Sequence, residues 1–230
     1  MSLELAVVMP VYNEEEIIQT VVKDWDKTLS ALKIDYVIAV YNDGSKDKTL
    51  SKLQEMKLAR LKVVDKKNSG HGPTIVQAYR DYNSALWMFQ LDSDNELRTE
   101  EFPKLWAERN NYDLLLGNRY NRDSPLARRI MTFISYLTLR LFYGKGVLDT
   151  NVPYRLIRTE KIRPYLHNLD GLFAPNIVIS GIAGLKKWRI FQMPVKFYSR
   201  TTGEVSIQKW KLLKVAYKSF AQTIKVRFLL

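Results

Sequence analysis

The chain has 230 residues, of which 46% are hydrophobic and 12% aromatic, which is enough to fill a sizeable core and too apolar for a disordered or low-complexity chain. The lack of cysteine excludes a disulfide framework and a thiol nucleophile, and two histidines, His71 and His167, argue against a histidine-rich metal centre. Basic residues outnumber acidic ones by 36 to 24, and this formal net charge of +12 favours an anionic partner.

Short apolar runs alternate with helical patterns through the first 117 residues. Five apolar runs predict strands at residues 5–9, 36–40, 61–64, 86–91 and 112–116. Helical patterns follow the first three of them, at residues 14–32, at residues 47–56 and from Pro73 onward. Strands that alternate with helices and are apolar nearly throughout are typical of parallel sheets. The sequence therefore predicts an α/β fold, with a mostly parallel central sheet and helices on both of its faces.

The second half of the chain has longer helical patterns and a basic C-terminus. It predicts an apolar helix at 126–143, strands at 152–157 and 188–197, and a helix at 175–184 between these strands. Residues 206–230 predict a basic amphipathic helix in which Phe220, Ile224 and Phe228 share one face. We divide the chain into one domain, residues 1–205, with halves at 1–117 and 118–205, and this C-terminal helix. No stretch reaches ~18 uninterrupted apolar residues, so no membrane-spanning helix is predicted.

Polar clusters follow the first four predicted strands, at residues 10–14, 42–45, 65–72 and 92–96. Because parallel strands end at one edge of a sheet, where such folds bind their ligands, we expect these clusters to form one site. Asp92 and Asp94 can face the same crevice and share Mg²⁺ or Mn²⁺, and Glu96 can complete the set. The alternative is that these acids cap the helix that follows.

The other clusters suit a nucleoside. Asp43 is placed to hydrogen-bond a base or a ribose, although Asn-Asp-Gly-Ser is also an ordinary turn sequence. Pro10 and Tyr12 can form a wall on which a nucleobase stacks, whereas Glu14 can simply charge the start of the following helix. The loop at residues 68–72 has neither the P-loop spacing nor Gly-x-Gly-x-x-Gly, which makes it a weak candidate for a phosphate cradle.

Together the four clusters resemble the motifs of the family 2 glycosyltransferases, which have the GT-A fold. The matching segments are Val-Met-Pro-Val-Tyr-Asn-Glu at 8–14, Asn-Asp-Gly-Ser-Lys-Asp-Lys-Thr at 42–49, Asn-Ser-Gly-His-Gly at 68–72 and Leu-Asp-Ser-Asp at 91–94. This resemblance implies a nucleotide-sugar donor, either a UDP-hexose or a GDP-hexose. The residues that it assigns to the nucleoside are Pro10, Tyr12, Glu14 and Asp43, and those that it assigns to the metal and diphosphate are Asp92 and Asp94.

The second half is similar to the polyprenyl-phosphate branch of that family, the dolichyl-phosphate mannose and glucose synthases. Its matching segments are Gly-Asn-Arg-Tyr at 117–120, Arg128 with Thr132, residues 149–155, and Arg-Thr-Thr-Gly-Glu at 200–204. Four residues depart from that branch, which has glycine at Pro153, glutamate at Asn176 and Gln192, and a phosphate-binding lysine at Ser206.

The resemblance implies a metal-dependent inverting hexosyltransferase that moves one sugar to a polyprenyl or dolichyl phosphate. A phosphate acceptor is already anionic at pH 7 and needs alignment rather than a base, which suits the forked guanidinium of arginine. The residues implied in catalysis are Arg119, Arg128 and Thr132 at the acceptor phosphate, together with Asp94 and Asp149. Arg200 is expected to stabilise the departing nucleoside diphosphate together with the metal.

Other functions compete with this interpretation. Transfer to a sugar hydroxyl of a surface glycan would need a base, for which Asp149 or Asp170 is the candidate. A nucleotidyltransferase normally has a glycine-rich loop after its first strand, and residues 9–16 contain no glycine. A nucleic-acid-binding protein would explain the basic terminus but not the four polar clusters, so nucleic acid is not an expected partner. A relative without activity would explain the departures at Asn176, Gln192 and Ser206.

The two amphipathic segments also predict a membrane surface as a partner. Residues 126–143 and 206–230 have the makeup of interfacial helices, with an apolar face for lipid and lysines for head groups. The alternative is that their apolar stripes cover the core or pair with a subunit. Because the N-terminal residues lack the basic segment of a signal peptide, we expect a cytoplasmic protein, peripheral to the cytoplasmic face of a membrane, with a small membrane-protein subunit as a candidate anchor.

Overall fold

The structure is a computed structural model that describes residues 3–120, 126–144, 147, 149–198 and 209–230. Within two of its helices, at residues 126–132 and 209–217, it describes the backbone alone. The predicted division between residues 205 and 206 lies outside the described residues and stays a prediction.

One twisted sheet organises the described part of the chain. Its seven strands are β1 (Leu5–Val11), β2 (Tyr36–Asp43), β3 (Leu61–Lys66), β4 (Trp87–Gln90), β5 (Leu114–Tyr120), β6 (Arg155–Arg158) and β7 (Ile190–Lys196). Their order in the sheet is β3-β2-β1-β4-β6-β5-β7. Every neighbouring pair is parallel except the two that involve β6, so β6 alone of these strands runs antiparallel to the others. The predicted α/β fold with a mostly parallel sheet is confirmed.

Helices connect and flank these strands. The described helices are α1 (Ile18–Ala31), α2 (Thr49–Gln54), α3 (His71–Asp81), α4 (Phe102–Ala107), α5 (Leu126–Tyr143), α6 (Thr159–Ile162), α7 (Pro175–Leu185) and α8 (Lys209–Arg227). Short 3₁₀ turns follow α4 and α6, at Glu108–Asn111 and Arg163–Leu169. No helix among the described residues is both long enough and apolar enough to cross a bilayer.

An aromatic cluster anchors the core between the sheet and its helices. The ring of Trp25, from α1, lies 5.2 Å from that of Phe89 in β4 and 5.4 Å from that of Phe102 in α4. Tyr154, just before β6, packs edge-on against Phe89 at 4.9 Å. Because aromatic rings bury large apolar areas and favour such tilted contacts, this cluster holds the ends of β4 and β6 in place beneath the polar edge of the sheet.

Element boundaries differ from the predicted ones where long-range pairing decides them. Asn42 and Asp43, predicted to form a loop, belong to β2 because they pair with Asp65 and Lys66 of β3. Likewise β5 extends past its predicted end to include Arg119, because its pairing with β7 continues as far as Tyr120. A local pattern contains no signal for either extension.

The C-terminal helix packs on α5 and α7 through an unexpected face. Ser219, Thr223 and Val226 are buried, whereas Phe220 and Phe228 of the predicted apolar face are 39% and 76% exposed. The Tyr143 hydroxyl at the end of α5 donates a hydrogen bond of 2.6 Å to the carbonyl oxygen of Thr223. In the part of α8 whose side chains are described, the phenylalanines therefore do not cover the core.

Candidate active site

The parallel strands bring the predicted clusters to one edge of the sheet, as expected. β1, β2, β4 and β5 all end there, so residues 10–14, 42–45, 92–96 and 119 lie beyond or at neighbouring carboxyl ends. The loop at 68–72 joins them because β3 ends at the same edge. The fold alone thus brings the four predicted clusters to one edge, and their role as a donor site stays a prediction.

The loops after β1 and β2 are bonded to each other. The backbone N–H of Asn13 donates to Ser45 Oγ at 3.0 Å, and the N–H of Glu14 donates to Thr49 Oγ1 at 2.8 Å. Pro10 lies buried within β1, Glu14 is 8% exposed, and Tyr12 projects at the edge with 39% of its surface exposed. Only Tyr12 of these three presents a large surface to a stacked base, and the roles of all three stay predictions.

Asp43 organises the loop that precedes α3. Its carboxylate accepts hydrogen bonds from Lys66 Nζ at 2.5 Å and from the backbone N–H groups of Ser69 and Gly70, both at 2.8 Å. Burial favours the neutral carboxyl, but Lys66 and these N–H donors outweigh it and lower the pKa of Asp43. Because Oδ2 accepts only one of these bonds, the carboxylate retains acceptor capacity for a base or ribose.

His71 and Asp92 form a pair that sequence reasoning did not identify. His71 is the first residue of α3, and its Nε2 lies 2.9 Å from Asp92 Oδ1. Desolvation opposes the charged imidazole, but the charge and hydrogen bond of Asp92, with the charges of Asp94 and Asp43, together outweigh it and raise the pKa of His71. For Asp92 desolvation is the largest single effect and raises the pKa, but the charge and hydrogen bond of His71, with the charges of Arg119 and Arg155, together lower it. The only signal in the sequence was a histidine inside a Gly/Ser loop at the same predicted edge.

The acidic loop at residues 92–96 suits a divalent metal ion that would take most of its ligands from water and substrate phosphates. Asp94 Oδ1 accepts a hydrogen bond from the backbone N–H of Glu96 at 3.1 Å, and no group of three or more metal-ligating side chains converges among the described residues. Mg²⁺ and similar ions usually bind one or two protein carboxylates plus waters and substrate phosphates. Asp92 and Asp94 suit such a site, and the complete set with Glu96 stays a prediction.

Arg119 and Asp149 form a two-pronged ion pair. Arg119 Nε and Nη2 donate to the two carboxylate oxygens of Asp149 at 2.7 Å and 2.8 Å. The side chains are only 12% and 17% exposed. Sequence reasoning placed both in the catalytic set without connecting them. The structure brings them together, with Arg119 at the end of β5 and close enough to Asp92 for their charges to interact.

Arg155 is a second cation that the motif comparison left without a role. It is fully buried and donates to the carbonyl oxygens of Val152 at 2.9 Å, Asn176 at 3.0 Å and Thr150 at 3.2 Å. Burial lowers its pKa to about 10, so it remains charged at pH 7. Arg155 therefore fixes the segment that follows Asp149 and adds positive charge beneath the polar edge.

The remaining predicted residues are less well defined by the structure. Arg128 and Thr132 lie on α5, but their side chains are outside the described residues, and so is Arg200. Asp170, the alternative base, forms an ion pair with Arg80 of α3. The roles of all four predicted residues stay predictions.

Solved structures of one enzyme share this fold. They belong to glucosyl-3-phosphoglycerate synthase from Mycobacterium tuberculosis. The complex with Mn²⁺, UDP and phosphoglyceric acid matches with a TM-score of 0.74 and 16% identity, covering 97% of this chain and 78% of that one. The complex with Mn²⁺, UDP and glucosyl-3-phosphoglycerate gives a TM-score of 0.72 at the same identity, covering 98% and 80%. At this identity the likeness shows the fold alone.

Sequence similarity is stronger to an uncharacterized glycosyltransferase of Synechocystis sp., which is 30% identical over 148 residues. The alignment covers 62% of this chain and 44% of that protein, so the chain spans less than half the length of the curated relative. The model of the family Glycosyl transferase family 2 matches residues 6–166, which span the strands β1 to β6 apart from Leu5, and with them the polar clusters of the candidate site. The chain therefore belongs to glycosyl transferase family 2.

Proposed function

We propose that the chain transfers a single hexose from a UDP- or GDP-sugar to a polyprenyl or dolichyl phosphate, with inversion at the sugar carbon. The observation that carries the acceptor half is the position of Arg119, whose guanidinium already holds a pair of anionic oxygens next to the Asp92 loop. Because Asp149 takes Nε and Nη2, a phosphate monoester would bind through Nη1 of the same guanidinium, which Asp149 holds in place.

The donor half of the proposal rests on family membership and on the edge of the sheet. Tyr12 and Asp43 would contact the nucleoside, and Asp92 and Asp94 would hold Mg²⁺ or Mn²⁺ at the diphosphate. A divalent ion at this position neutralises the charge that develops on the leaving nucleoside diphosphate. The similar structures that contain Mn²⁺ and UDP support this choice of metal and ligand.

The acceptor half requires alignment rather than proton removal. A phosphate oxygen is anionic at pH 7, so no side chain has to deprotonate it. Arg119, with Arg128 and Thr132 from α5, would direct that oxygen at the sugar carbon from the face opposite the leaving group. Arg155 and Arg200 would add positive charge that stabilises the departing diphosphate.

Exposed apolar side chains on α5 and α8 support a membrane surface as the place of reaction. On α5, Phe133 is 63% exposed and Leu141 is 71% exposed, and directly after α8, Phe228 is 76% exposed. Helices that combine such residues with lysine and arginine bind the interface of anionic membranes. We propose a protein peripheral to the cytoplasmic face of a membrane, with a small membrane-protein subunit as the other candidate to cover these side chains.

A hydroxyl acceptor is the second candidate function. It is favoured by the similar solved structures, which contain phosphoglyceric acid together with UDP and Mn²⁺. Asp149 or Asp170 would then serve as the base. Asp149 gives both of its oxygens to Arg119 and is 17% exposed, which restricts its access to an acceptor hydroxyl, whereas Asp170, paired with Arg80, is the more accessible of the two carboxylates.

Binding and turnover of variants test the two halves separately. We expect Asp94→Ala to abolish transfer and weaken Mn²⁺-dependent UDP binding, measured by calorimetry. Arg128→Ala is expected to raise the acceptor KM while UDP binding stays normal, and Arg60→Ala, at an exposed position before β3 at the opposite edge of the sheet, serves as the matched control. Normal UDP binding without transfer to any polyprenyl phosphate would refute the acceptor half and leave the donor half standing.

A further inference from the structure

The C-terminal helix contacts the segment next to the candidate site through one side chain. The carboxamide of Gln222 accepts a hydrogen bond from the backbone N–H of Phe173 and donates one to the carbonyl oxygen of Gly171, both at 3.0 Å. These two bonds clamp residues 171–173, a turn in which Gly171 has a positive φ of 66°. No other residue of α8 makes a hydrogen bond to this turn in the part of the chain that the structure describes.

The clamped turn lies directly against the first turn of α3. A Cβ added to Gly72 would lie 2.3 Å from the carbonyl oxygen of Leu172 and 2.5 Å from that of Phe173. This contact is backbone against backbone, so neither side can yield through a side-chain rotation. The ion pair between Arg80 and Asp170, the residue before this turn, joins the same segment to the last turn of α3.

Gly72 follows His71, whose imidazole faces Asp92 at 2.9 Å. A displacement of the turn would therefore press on the backbone of Gly72, next to His71. We propose that Gln222 is a positioning residue for the donor site, and that it acts through residues 171–173 and His71 on the carboxylate of Asp92. This inference rests on the proposed donor role of Asp92. It makes the helix with exposed Phe220 and Phe228 part of the support of the donor site.

Gln222→Met tests the proposal in the full-length chain, since methionine has similar length and neither polar group. Gln222→Glu keeps the acceptor for the Phe173 N–H but turns a carboxylate oxygen toward the Gly171 carbonyl, so that repulsion replaces the second bond. We expect the Kd for UDP in the presence of Mn²⁺ to rise about five- to tenfold in both variants. Lys225→Ala, at an exposed position on the same helix, is the matched control and should bind as the parent does.

Two further readouts separate positioning from a general loss of structure. Hydrogen exchange at the Phe173 amide should accelerate in Gln222→Met, and the NMR signals of the His71 ring should shift while those of His167 stay in place. Accelerated exchange at Phe173 with unchanged His71 signals and unchanged UDP binding would overturn the proposal. If the parent chain itself fails to bind UDP with Mn²⁺, the proposed donor function fails, and the His71 signals still decide whether Gln222 positions this residue.

Discussion

Replacing Asp149 by asparagine distinguishes the two acceptor chemistries. The substitution keeps the shape of the side chain and one acceptor oxygen for Arg119, but it removes the negative charge and one of the two bonds at 2.7 Å and 2.8 Å. Charge-assisted hydrogen bonds contribute about 1.5–3 kcal/mol, and this pair is largely shielded from water. We therefore expect the free energy of unfolding to fall by about 2 kcal/mol, which lowers Tm by about 4–8 °C in a chain of this size.

The effect on turnover follows from the role of the carboxylate. If Asp149 acts by holding Arg119, kcat for a polyprenyl phosphate falls by less than about tenfold, because the acceptor needs no base. If Asp149 removes a proton from a hydroxyl acceptor, kcat falls by about 10²–10⁴-fold. Initial rates at saturating nucleotide sugar measure this, and Arg119→Ala provides the second arm through a raised acceptor KM. A loss of kcat above about 100-fold in a folded Asp149→Asn variant with normal UDP binding would refute the phosphate-acceptor reasoning.

Three other predictions follow from single features. Asp43 has a lowered pKa, so the stability that its charge contributes is complete above its unfolded pKa of about 3.9 and is lost as the pH falls through its folded pKa. In urea titrations the stability difference between the parent and Asp43→Asn should therefore shrink below about pH 4. A difference that stays constant with pH would argue against this role of Asp43. Gly72→Ala places a methyl group 2.3 Å from the Leu172 carbonyl and should cost about 1–3 kcal/mol of unfolding free energy by the same assay, a neutral effect being the contrary result. The double variant Phe133→Ser, Leu141→Ser should weaken binding to anionic vesicles at least about tenfold in co-sedimentation without changing UDP affinity, whereas unchanged sedimentation would remove these side chains from the membrane contact.

The local sequence pattern was sufficient to locate the seven strands and to predict which edge of the sheet carries the site. The strands β1 and β2 are buried along their whole length, which is why an uninterrupted run of apolar residues identified them. The parallel arrangement then placed Asp43 and Asp92 at one edge without knowledge of any contact. The resemblance to family 2 glycosyltransferases rested on those same segments.

Pairs distant in sequence were not predictable from pattern. His71 contacts Asp92 across 21 residues and Arg119 contacts Asp149 across 30, so each pair depends on how the loops meet rather than on spacing along the chain. The environment of Arg155 was missed for a related reason, because its partners are backbone carbonyls, which carry no residue-specific signal.

The prediction for the C-terminal helix differed from the structure for another reason. Its apolar positions indicated one face, but the described part of α8 buries Ser219 and Thr223 and leaves Phe228 exposed. Hydrophobic periodicity reports that a helix has an apolar face and does not report what covers it. Among the side chains of that face that the structure describes, Phe220 and Phe228 are exposed and Ile224 is half-buried.

The central claim is transfer to a lipid phosphate, and one competition reaction tests it most directly. The chain is given UDP- and GDP-hexoses with Mn²⁺ and equal amounts of a short polyprenyl phosphate and the corresponding polyprenol, and the products are identified by mass spectrometry. We predict a hexosyl polyprenyl phosphate and no glycosylated polyprenol, with the product absent for Asp94→Ala. Sugar on the polyprenol with none on the polyprenyl phosphate would contradict the claim. So would sugar on phosphoglyceric acid, supplied in a separate reaction, if the lipid reaction gives no hexosyl polyprenyl phosphate.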